Sequence, residues 1–418
     1  MRLVSLAVLS LCAISLPCHV AVAQKSHQQR PQQVAKYDPS NISALPKTQS
    51  KSIAVFDASS GQLLWSYHGR ERRFPASTTK ILTALLFAEA TQPSDRVTCK
   101  NGKTVGVGGS SLNIKLNESF TADAILTGLI LKSANDAGIV MAEHVDGSVN
   151  GFAKHMTQRA RELGALDTAF MNPHGLHNVN HYTTAIDLGK IAIVAMKNPW
   201  IDKIIRRPSS IIKSSIRTQI RVTSKAKSLF FDKFTGADGV KTGYTVPAGN
   251  CFIGSATRDG RRYVSVVMGS PDSACKETIP ILSWTFRRFK RAVCLPQGSL
   301  INVLLPDSFS VKAATTDPVY WSIDTLQTMT PPTQKIVPSS IRMPVKENDI
   351  VGHVDLLVDG TVIGSTMIRA TQDFDSPTTS MGTIWVYGGI VGLVLVAWKR
   401  ARRIARRAFT KGPSGGRG

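Results

Sequence analysis

The chain has 418 residues, 42% of them hydrophobic, and a formal net charge of +23 at pH 7. This hydrophobic content is enough for a packed core, and the length leaves room for one large domain and one small one. The sequence has no motif that interleaves basic and aromatic residues, so the positive charge does not indicate binding to nucleic acid.

The amino end has the features of a secretory signal peptide. Met1-Arg2 precedes an apolar run from Leu3 to Leu16, and Ala21-Val22-Ala23 offers a cleavage site. We therefore expect residues 1–23 to be removed on export. Residues 24–50 are rich in Gln, Lys, Pro and Ser and are predicted to form a flexible leader.

Removal of the signal peptide leaves four cysteines, which are Cys99, Cys251, Cys275 and Cys294. Export permits disulfides, but four scattered cysteines do not make the framework of a small stapled domain. We expect free and mostly buried thiols, and the sequence leaves any pairing undetermined.

Residues 51–293 are predicted to form a large domain of the α/β (α+β) class. Strand patterns lie at both ends of this region, and its middle is rich in helices, such as those predicted over Phe152–Leu163 and Thr184–Met196. This arrangement predicts a sheet that is built from the first and last strands and covered by helices.

The first cluster with chemical character is Ser77-Thr78-Thr79-Lys80, which precedes an apolar run over Ile81–Leu86. The pattern predicts the start of a helix, in which residues three apart share a face, so Lys80 should lie beside Ser77. A serine nucleophile needs a base within hydrogen-bond reach at neutral pH. A lysine that is partly desolvated and close to a second lysine can lose its proton and act as that base.

The second cluster is Ser133-Ala134-Asn135, at the end of an apolar segment that begins at Leu126. Ser133 could relay a proton between Lys80 and a leaving amine, and Asn135 could bind a substrate amide. A Ser/Asn cap at the end of a helix is the competing interpretation of this cluster taken alone.

The third cluster is Lys241-Thr242-Gly243, which follows a turn over Gly236–Val240. It predicts a strand beside which an extended peptide could lie as an added strand. Lys241 and the Thr242 hydroxyl would hold a substrate carboxylate, and Gly243 would let the substrate backbone come close. The backbone N–H of Tyr244 is the predicted second oxyanion donor, paired with that of Ser77.

The order and separation of the three clusters are typical of penicillin-binding proteins and class A β-lactamases. The chain resembles the low-molecular-mass penicillin-binding proteins that are D-alanyl-D-alanine carboxypeptidases. The likeness includes Ser52–Asp57, Phe170–Leu176 and Asp238–Thr245 and covers roughly residues 51–372.

This resemblance implies a penicillin-binding-protein/β-lactamase-like catalytic fold with an acyl-enzyme on Ser77. The implied reaction removes the terminal D-alanine from peptidoglycan peptide stems that end in D-Ala-D-Ala, and β-lactams would inhibit it covalently. No cofactor is implied. The oligomeric state is left open.

One position departs from the family pattern. Members usually carry an arginine downstream of the Lys-Thr-Gly strand that helps to hold the terminal carboxylate, and a count without gaps reaches Lys276 here. Lysine lacks the bidentate fork of arginine, so recognition would be looser or shared with Lys241. Lys276 is therefore not included in the predicted catalytic set.

The histidines at 174, 177 and 181 have a spacing that metal ligands can show. They lie in a loop rich in Gly, Pro and Asn, with no acid or cysteine beside them. We therefore predict no metal site.

Other functions share the scaffold, and the sequence does not set the balance among D,D-carboxypeptidase, endopeptidase and transpeptidase. A β-lactamase would need a carboxylate for the deacylating water, and only Asp167 and Asp187 lie between Leu163 and Leu188, neither in the expected context. A membrane-anchored β-lactam sensor would need an effector domain, which a tail of 20 residues does not supply. Carboxypeptidase is the predicted activity.

Residues 296–372 are predicted to form a small all-β domain. Alternating patterns over Ile301–Leu305, Ser308–Val311, Val351–Val358 and Thr361–Ser365 indicate short strands, and residues 358–361 indicate a hairpin turn. A spacer or partner-binding role is the default for this domain.

Residues 381–398 contain no charge and carry aromatic residues placed like interfacial anchors. Their length is at the short end for a membrane span, and they lack a polar face, so we predict a transmembrane helix. Six Lys/Arg follow within residues 399–407, which predicts a basic cytoplasmic tail over 399–418. The expected protein is a single-pass protein of the inner (cell) membrane, with its catalytic domain on the periplasmic or extracellular side.

Overall fold

A computed structural model describes residues 48–101, 107–326, 331–358 and 360–375. The chain forms two compact units. The first takes the residues up to Gln297 together with Asp317–Lys335 and Val354–Thr366, and the second takes Gly298–Thr316, Ile336–His353 and the residues from Met367 onward.

The predicted signal peptide (1–23), nearly all of the predicted leader (24–50), the predicted membrane span (381–398) and the basic tail (399–418) lie outside the described residues. Among the residues that are described, no helix has both the length and the apolar character needed to cross a membrane.

The strands up to residue 295 belong to the first unit. They are β1 (Ser52–Asp57), β2 (Leu63–Tyr67), β3 (Arg96–Thr98), β4 (Ser119–Thr121), β5 (Ser209–Ile212), β6 (Ile220–Thr223), β7 (Ala237–Thr245), β8 (Gly249–Arg258), β9 (Arg261–Ser270) and β10 (Phe289–Leu295). Five of them form an antiparallel sheet in the order β2-β1-β9-β8-β7, which places β7 at an edge. The sheet therefore joins the first and last strands of the region, as predicted from the sequence.

Seven α-helices complete the first unit among the described residues. They are α1 (Lys80–Ala90), α2 (Ala122–Thr127), α3 (Asn135–Asp146), α4 (Val149–Glu162), α5 (Ala185–Lys197), α6 (Pro199–Ile205) and α7 (Ala274–Arg288). The helices predicted over 152–163 and 184–196 correspond to α4 and α5.

The sheet is buried on both faces, which explains why strand β1 is buried throughout and has a continuous apolar run over residues 53–56 instead of alternating. Ala54 and Phe56 belong to the core that contains helices α1 and α5. Ile53 and Val55 point to the other face and belong to a second core with Trp284 of α7. Helices on both faces thus fix the sheet, and with it the edge strand β7.

Helix α1 lies inside the helical layer, where its residues from Lys80 to Phe87 are all buried. A helix that is apolar nearly all round is expected to be enclosed by other elements. The one charged residue in that run is Lys80, so its ammonium group must be accommodated within the domain.

Strand β13 (Val319–Asp324) belongs to the first unit and pairs with β10. The buried side chains of Arg288 and Asp324 form a bidentate ion pair, with N–O distances of 2.5 and 3.0 Å. Ser322 exchanges hydrogen bonds with the Gln62 side chain. These contacts hold the returning strand against the catalytic unit.

The remaining strands are β11 (Leu300–Leu304), β12 (Ser310–Thr315), β14 (Thr333–Pro338), β15 (Ile350–Val358) and β16 (Thr361–Ala370). They form a five-stranded sheet in the order β11-β12-β16-β15-β14. Strands β15 and β16 are neighbours in this sheet, and residue 359 of the predicted hairpin turn lies outside the described residues. The structure thus confirms an α/β domain followed by β structure.

Candidate active site

The three predicted clusters meet at one cavity of about 310 Å³. Six of the eight predicted site residues line it, which are Ser77, Ser133, Asn135, Thr242, Gly243 and Tyr244. The other two, Lys80 and Lys241, are buried immediately behind this lining.

Ser77 lies in a tight helical turn over Ala76–Thr79 that precedes α1. Ala76 has a φ of 47°, a left-handed conformation that is unusual for a residue with a side chain. Its three neighbours in the turn are Ser77, which is half-buried, and Thr78 and Thr79, which are buried. The turn therefore presents the Ser77 hydroxyl to the cavity while its other side chains pack inward.

The Lys80 side chain has no solvent exposure and its Nζ has three polar neighbours. Nζ lies 2.9 Å from Ser77 Oγ, 2.6 Å from Asn135 Oδ1 and 2.6 Å from the His174 carbonyl oxygen. Burial lowers the pKa of Lys80 well below its usual 10.5, and the charges of Lys241 and Lys225 lower it further. Both effects favour the neutral amine of Lys80 over the ammonium ion.

A neutral amine has two N–H donors and one lone pair. The oxygens of Asn135 and His174 can only accept, so both N–H groups of Lys80 are used by them. The lone pair then faces the Ser77 hydroxyl, which is closer to Lys80 Nζ (2.9 Å) than to the His174 carbonyl (3.4 Å). This geometry lets Ser77 donate its proton to Lys80.

Asn135 is held in the orientation that this network needs. Its Nδ2 donates to the Gly108 carbonyl at 2.5 Å, which fixes its Oδ1 toward Lys80. The adjacent Asp136 carboxylate accepts from the backbone N–H groups of Leu112 and Ile114 and so fastens the loop above the site. Ser133 is in the left-handed conformation (φ 61°) between α2 and α3.

Lys241 lies on edge strand β7, is 3% exposed and donates to the Thr242 carbonyl at 3.0 Å. Burial lowers its pKa to about 7, and the charge of Lys225 contributes.

A Cβ on Gly243 would lie 2.9 Å from the Ser77 nitrogen, so only glycine lets this strand pass so close to Ser77. The Tyr244 side chain is 60% exposed, so its predicted contribution is its backbone N–H.

Gly175 and His181 support the Ser77 turn, and the sequence predicted neither of them as a site residue. Gly175 has a φ of +84°, and a Cβ there would lie 1.8 Å from the Ala76 carbonyl oxygen. His181 Nδ1 accepts from the Met171 N–H, so its Nε2 carries the proton and donates to Thr79 Oγ1 at 2.8 Å. Thr79 in turn donates to the Ala76 carbonyl at 2.8 Å.

Two of the three histidines with ligand-like spacing contact these residues, His181 through the Thr79 hydroxyl and His174 through its backbone carbonyl, which binds Lys80. Burial and the charge of Lys80 lower the pKa of His174 to about 3 and that of His181 to about 4, so both rings are neutral near pH 7. The ring of His177 packs edge-on against Phe74. In the part of the chain that the structure describes, no group of three or more His, Cys, Asp or Glu is arranged for a metal ion.

Lys276 does not line the cavity. Its ammonium lies 3.6 Å from the Asp272 carboxylate, and 62% of its side chain is exposed. The start of α7 instead presents Cys275 to the cavity, and burial raises the pKa of this thiol to about 12. Cys251, which also lines the cavity, is a second buried thiol whose pKa burial raises to about 11.

Gly175→Ala should displace the Ser77 turn and slow acylation by labelled penicillin roughly 100-fold, because the new Cβ overlaps the Ala76 carbonyl. Gly61→Ala is the matched control, since Gly61 has a similar φ of +76° but nothing within 4 Å of a new Cβ. Both variants bear the same backbone strain of roughly 1 kcal/mol. Equal acylation rates in the two variants would show that Gly175 does not hold the turn.

Comparison with known proteins identifies the family. Residues 39–272 match the family model described as D-alanyl-D-alanine carboxypeptidase, peptidase S11. The chain is 28% identical over 354 residues to the D-alanyl-D-alanine carboxypeptidase DacF of Bacillus subtilis, covering 82% of this chain and 90% of DacF.

Two solved structures are similar as well. Penicillin-binding protein 5 from Haemophilus influenzae has 26% identity and a TM-score of 0.61, with 79% of this chain and 99% of that one covered. The Streptomyces K15 DD-transpeptidase has 27% identity and a TM-score of 0.55, with 58% of this chain and 99% of that one covered. A serine with a buried lysine as its hydrogen-bond partner is thus found in a chain that belongs to the peptidase S11 family of D-alanyl-D-alanine carboxypeptidases.

Proposed function

We propose that Ser77 is the nucleophile of this serine-type D-Ala-D-Ala carboxypeptidase and that Lys80 is its general base. The observation that carries the assignment is the contact set of Lys80 Nζ. Its two N–H groups are used by Asn135 and His174, and its lone pair is directed at Ser77. A nucleophile and base within hydrogen-bond reach, with the base oriented by further groups, is the arrangement that acyl transfer needs.

In the proposed first step, Ser77 Oγ attacks the carbonyl carbon of the penultimate D-alanine, and Lys80 takes the hydroxyl proton. The backbone N–H groups of Ser77 and Tyr244 stabilise the oxyanion. The C–N bond then breaks, and Ser133 relays a proton from Lys80 to the leaving amine, so the terminal D-alanine departs. Water hydrolyses the ester with Lys80 again taking the proton, which regenerates Ser77.

The substrate is a peptidoglycan stem peptide, which we propose to lie along the free edge of β7 as an added strand. Lys241 and the Thr242 hydroxyl hold the terminal carboxylate. Asn135 uses one N–H for Gly108 and keeps the other for the substrate amide. A β-lactam occupies the same position and acylates Ser77.

Labelled penicillin should attach to Ser77, and the label should be lost in Ser77→Ala. Lys80→Arg keeps the positive charge but removes the base, because the pKa of arginine is about 12 or higher, so acylation should fall by orders of magnitude. Lys227→Arg is the control, since Lys227 pairs with Asp232 at 2.9 Å and does not line the cavity. Peptide mapping of the labelled protein locates the adduct, and near-normal labelling of Lys80→Arg would assign the base role to another group.

Transpeptidation is the second candidate, because the Streptomyces K15 DD-transpeptidase is among the similar structures. Both reactions share the acyl-enzyme and differ in whether water or an amine attacks it. Mass spectrometry of the products from a pentapeptide precursor, with and without an acceptor amine, separates them and also reveals endopeptidase action.

The β-lactamase alternative finds less support. Asp167, one of two candidates for activating a deacylating water, pairs with Arg72 at 2.9 Å. Asp187, the other candidate, accepts from the Asp167 N–H and from Thr168. Both carboxylates thus have structural partners.

We further propose that the protein is exported and held by residues 381–398 as a single transmembrane helix, with residues 24–380 outside the cytoplasm. The support is the sequence itself, since the segment has no charge and six Lys/Arg follow it. A charge within the span would cost roughly 2.5–3.5 kcal/mol on insertion scales. The basic residues favour the cytoplasmic side.

Truncation before Met381 should release an enzyme that still binds penicillin. The full-length protein should stay in the membrane fraction after alkaline carbonate, which strips proteins bound only at the surface. Release of the full-length protein by carbonate would instead indicate a helix that lies in the interface.

A further inference from the structure

One charged side chain lines the catalytic cavity. Of the described residues around it, Lys225 alone carries a charge. It lies in the turn that follows β6, its side chain is exposed, and no ion pair joins it to another described residue. Leu229, from the same segment, lines the cavity as well. An ammonium group without a carboxylate partner therefore lies at the mouth of the site.

Lys225 lines the same cavity as β7, the strand that is proposed to bind the carboxylate. It lines the same cavity as Thr242, and its charge contributes to the low pKa values of both Lys241 and Lys80. For Lys241 it is the largest contribution from any charge. The ammonium of Lys225 is thus close to the place where Lys241 and Thr242 are proposed to hold a carboxylate.

Helix α7 supplies no charged side chain to the cavity lining. The start of α7 faces the cavity with Ser273, Ala274 and Cys275, and the Cys275 thiol is neutral at physiological pH because burial raises its pKa to about 12. The next residue, Lys276, turns toward Asp272 on the surface. The cation that relatives carry downstream of the Lys-Thr-Gly strand is therefore not provided from this helix.

We propose that Lys225 is a second carboxylate-binding residue, which holds the terminal D-alanine carboxylate at the mouth of the cavity, together with Thr242 and the buried Lys241. The inference rests on the proposed roles of Lys241 and Thr242. A lysine ammonium is a point charge and does not bind a carboxylate bidentately as arginine does. Lys225 therefore attracts the carboxylate by its charge, and the hydrogen bond from the Thr242 hydroxyl orients it. Lys225 then sets the preference for a free carboxylate over a neutral carboxy terminus.

The test compares diacetyl-Lys-D-Ala-D-Ala with its carboxy-terminal amide. In Lys225→Gln, kcat/KM for the acid should fall roughly tenfold, mainly through KM, because a hydrogen bond to a charged group is lost. The value for the amide should fall much less, because loss of the Lys225 charge acts on it only through the pKa of Lys80 and Lys241. Lys225→Arg should keep most of the preference for the acid, since it keeps the charge.

Lys227→Gln is the matched control, because Lys227 is two residues away but pairs with Asp232 at 2.9 Å and does not line the cavity. It should leave both substrates unaffected. An equal fall for acid and amide in Lys225→Gln, or no fall for either, would overturn the inference. Labelling of Ser77 by penicillin is measured in the wild type in parallel, so a failure of the proposed nucleophile is seen separately from a failure of Lys225.

Discussion

The geometry of the site depends on the hydrogen bonds that surround the buried Lys80 side chain. Lys80 lies on the first turn of a helix that is enclosed on all sides, and two oxygens that can only accept take both N–H groups of its neutral amine. The lone pair is thereby left for Ser77. The loop with His174, the amide of Asn135 and the packing of α1 each contribute to this single orientation. The fold thus prepares the base before a substrate arrives.

Three lysines, Lys80, Lys241 and Lys225, are the source of positive charge at the site. Burial is the main cause that lowers the pKa of Lys80 and of Lys241, the charge of Lys225 lowers both further, and the charge of Lys241 also lowers that of Lys80. An incoming carboxylate counters this, because a nearby negative charge favours the protonated form of Lys241. The site therefore favours a neutral Lys80 for chemistry and a charged Lys241 for binding, although both residues are lysines in one cavity.

Much of the site could be predicted from the sequence, because helical spacing alone places Lys80 beside Ser77, and a turn before Lys241 indicates a strand. The close approach of Gly175 to the Ala76 carbonyl could not be predicted, since Gly175 lies about 100 residues further along the chain and has no side chain to reveal its role. Strand β13 was missed because its partner, β10, belongs to the preceding domain region. Lys225 was missed because a single surface lysine has no local pattern.

The most direct test of the account is the pKa of Lys80 itself. Protein with isotope-labelled lysine side chains can be titrated by NMR, with Lys80→Arg used to assign the resonance. We predict that the measured pKa of Lys80 lies well below the usual 10.5, so that the amine is neutral at the pH where acylation is fast. A Lys80 that stays protonated up to about pH 10, with Ser77 still acylated normally near pH 7, would contradict the proposed base.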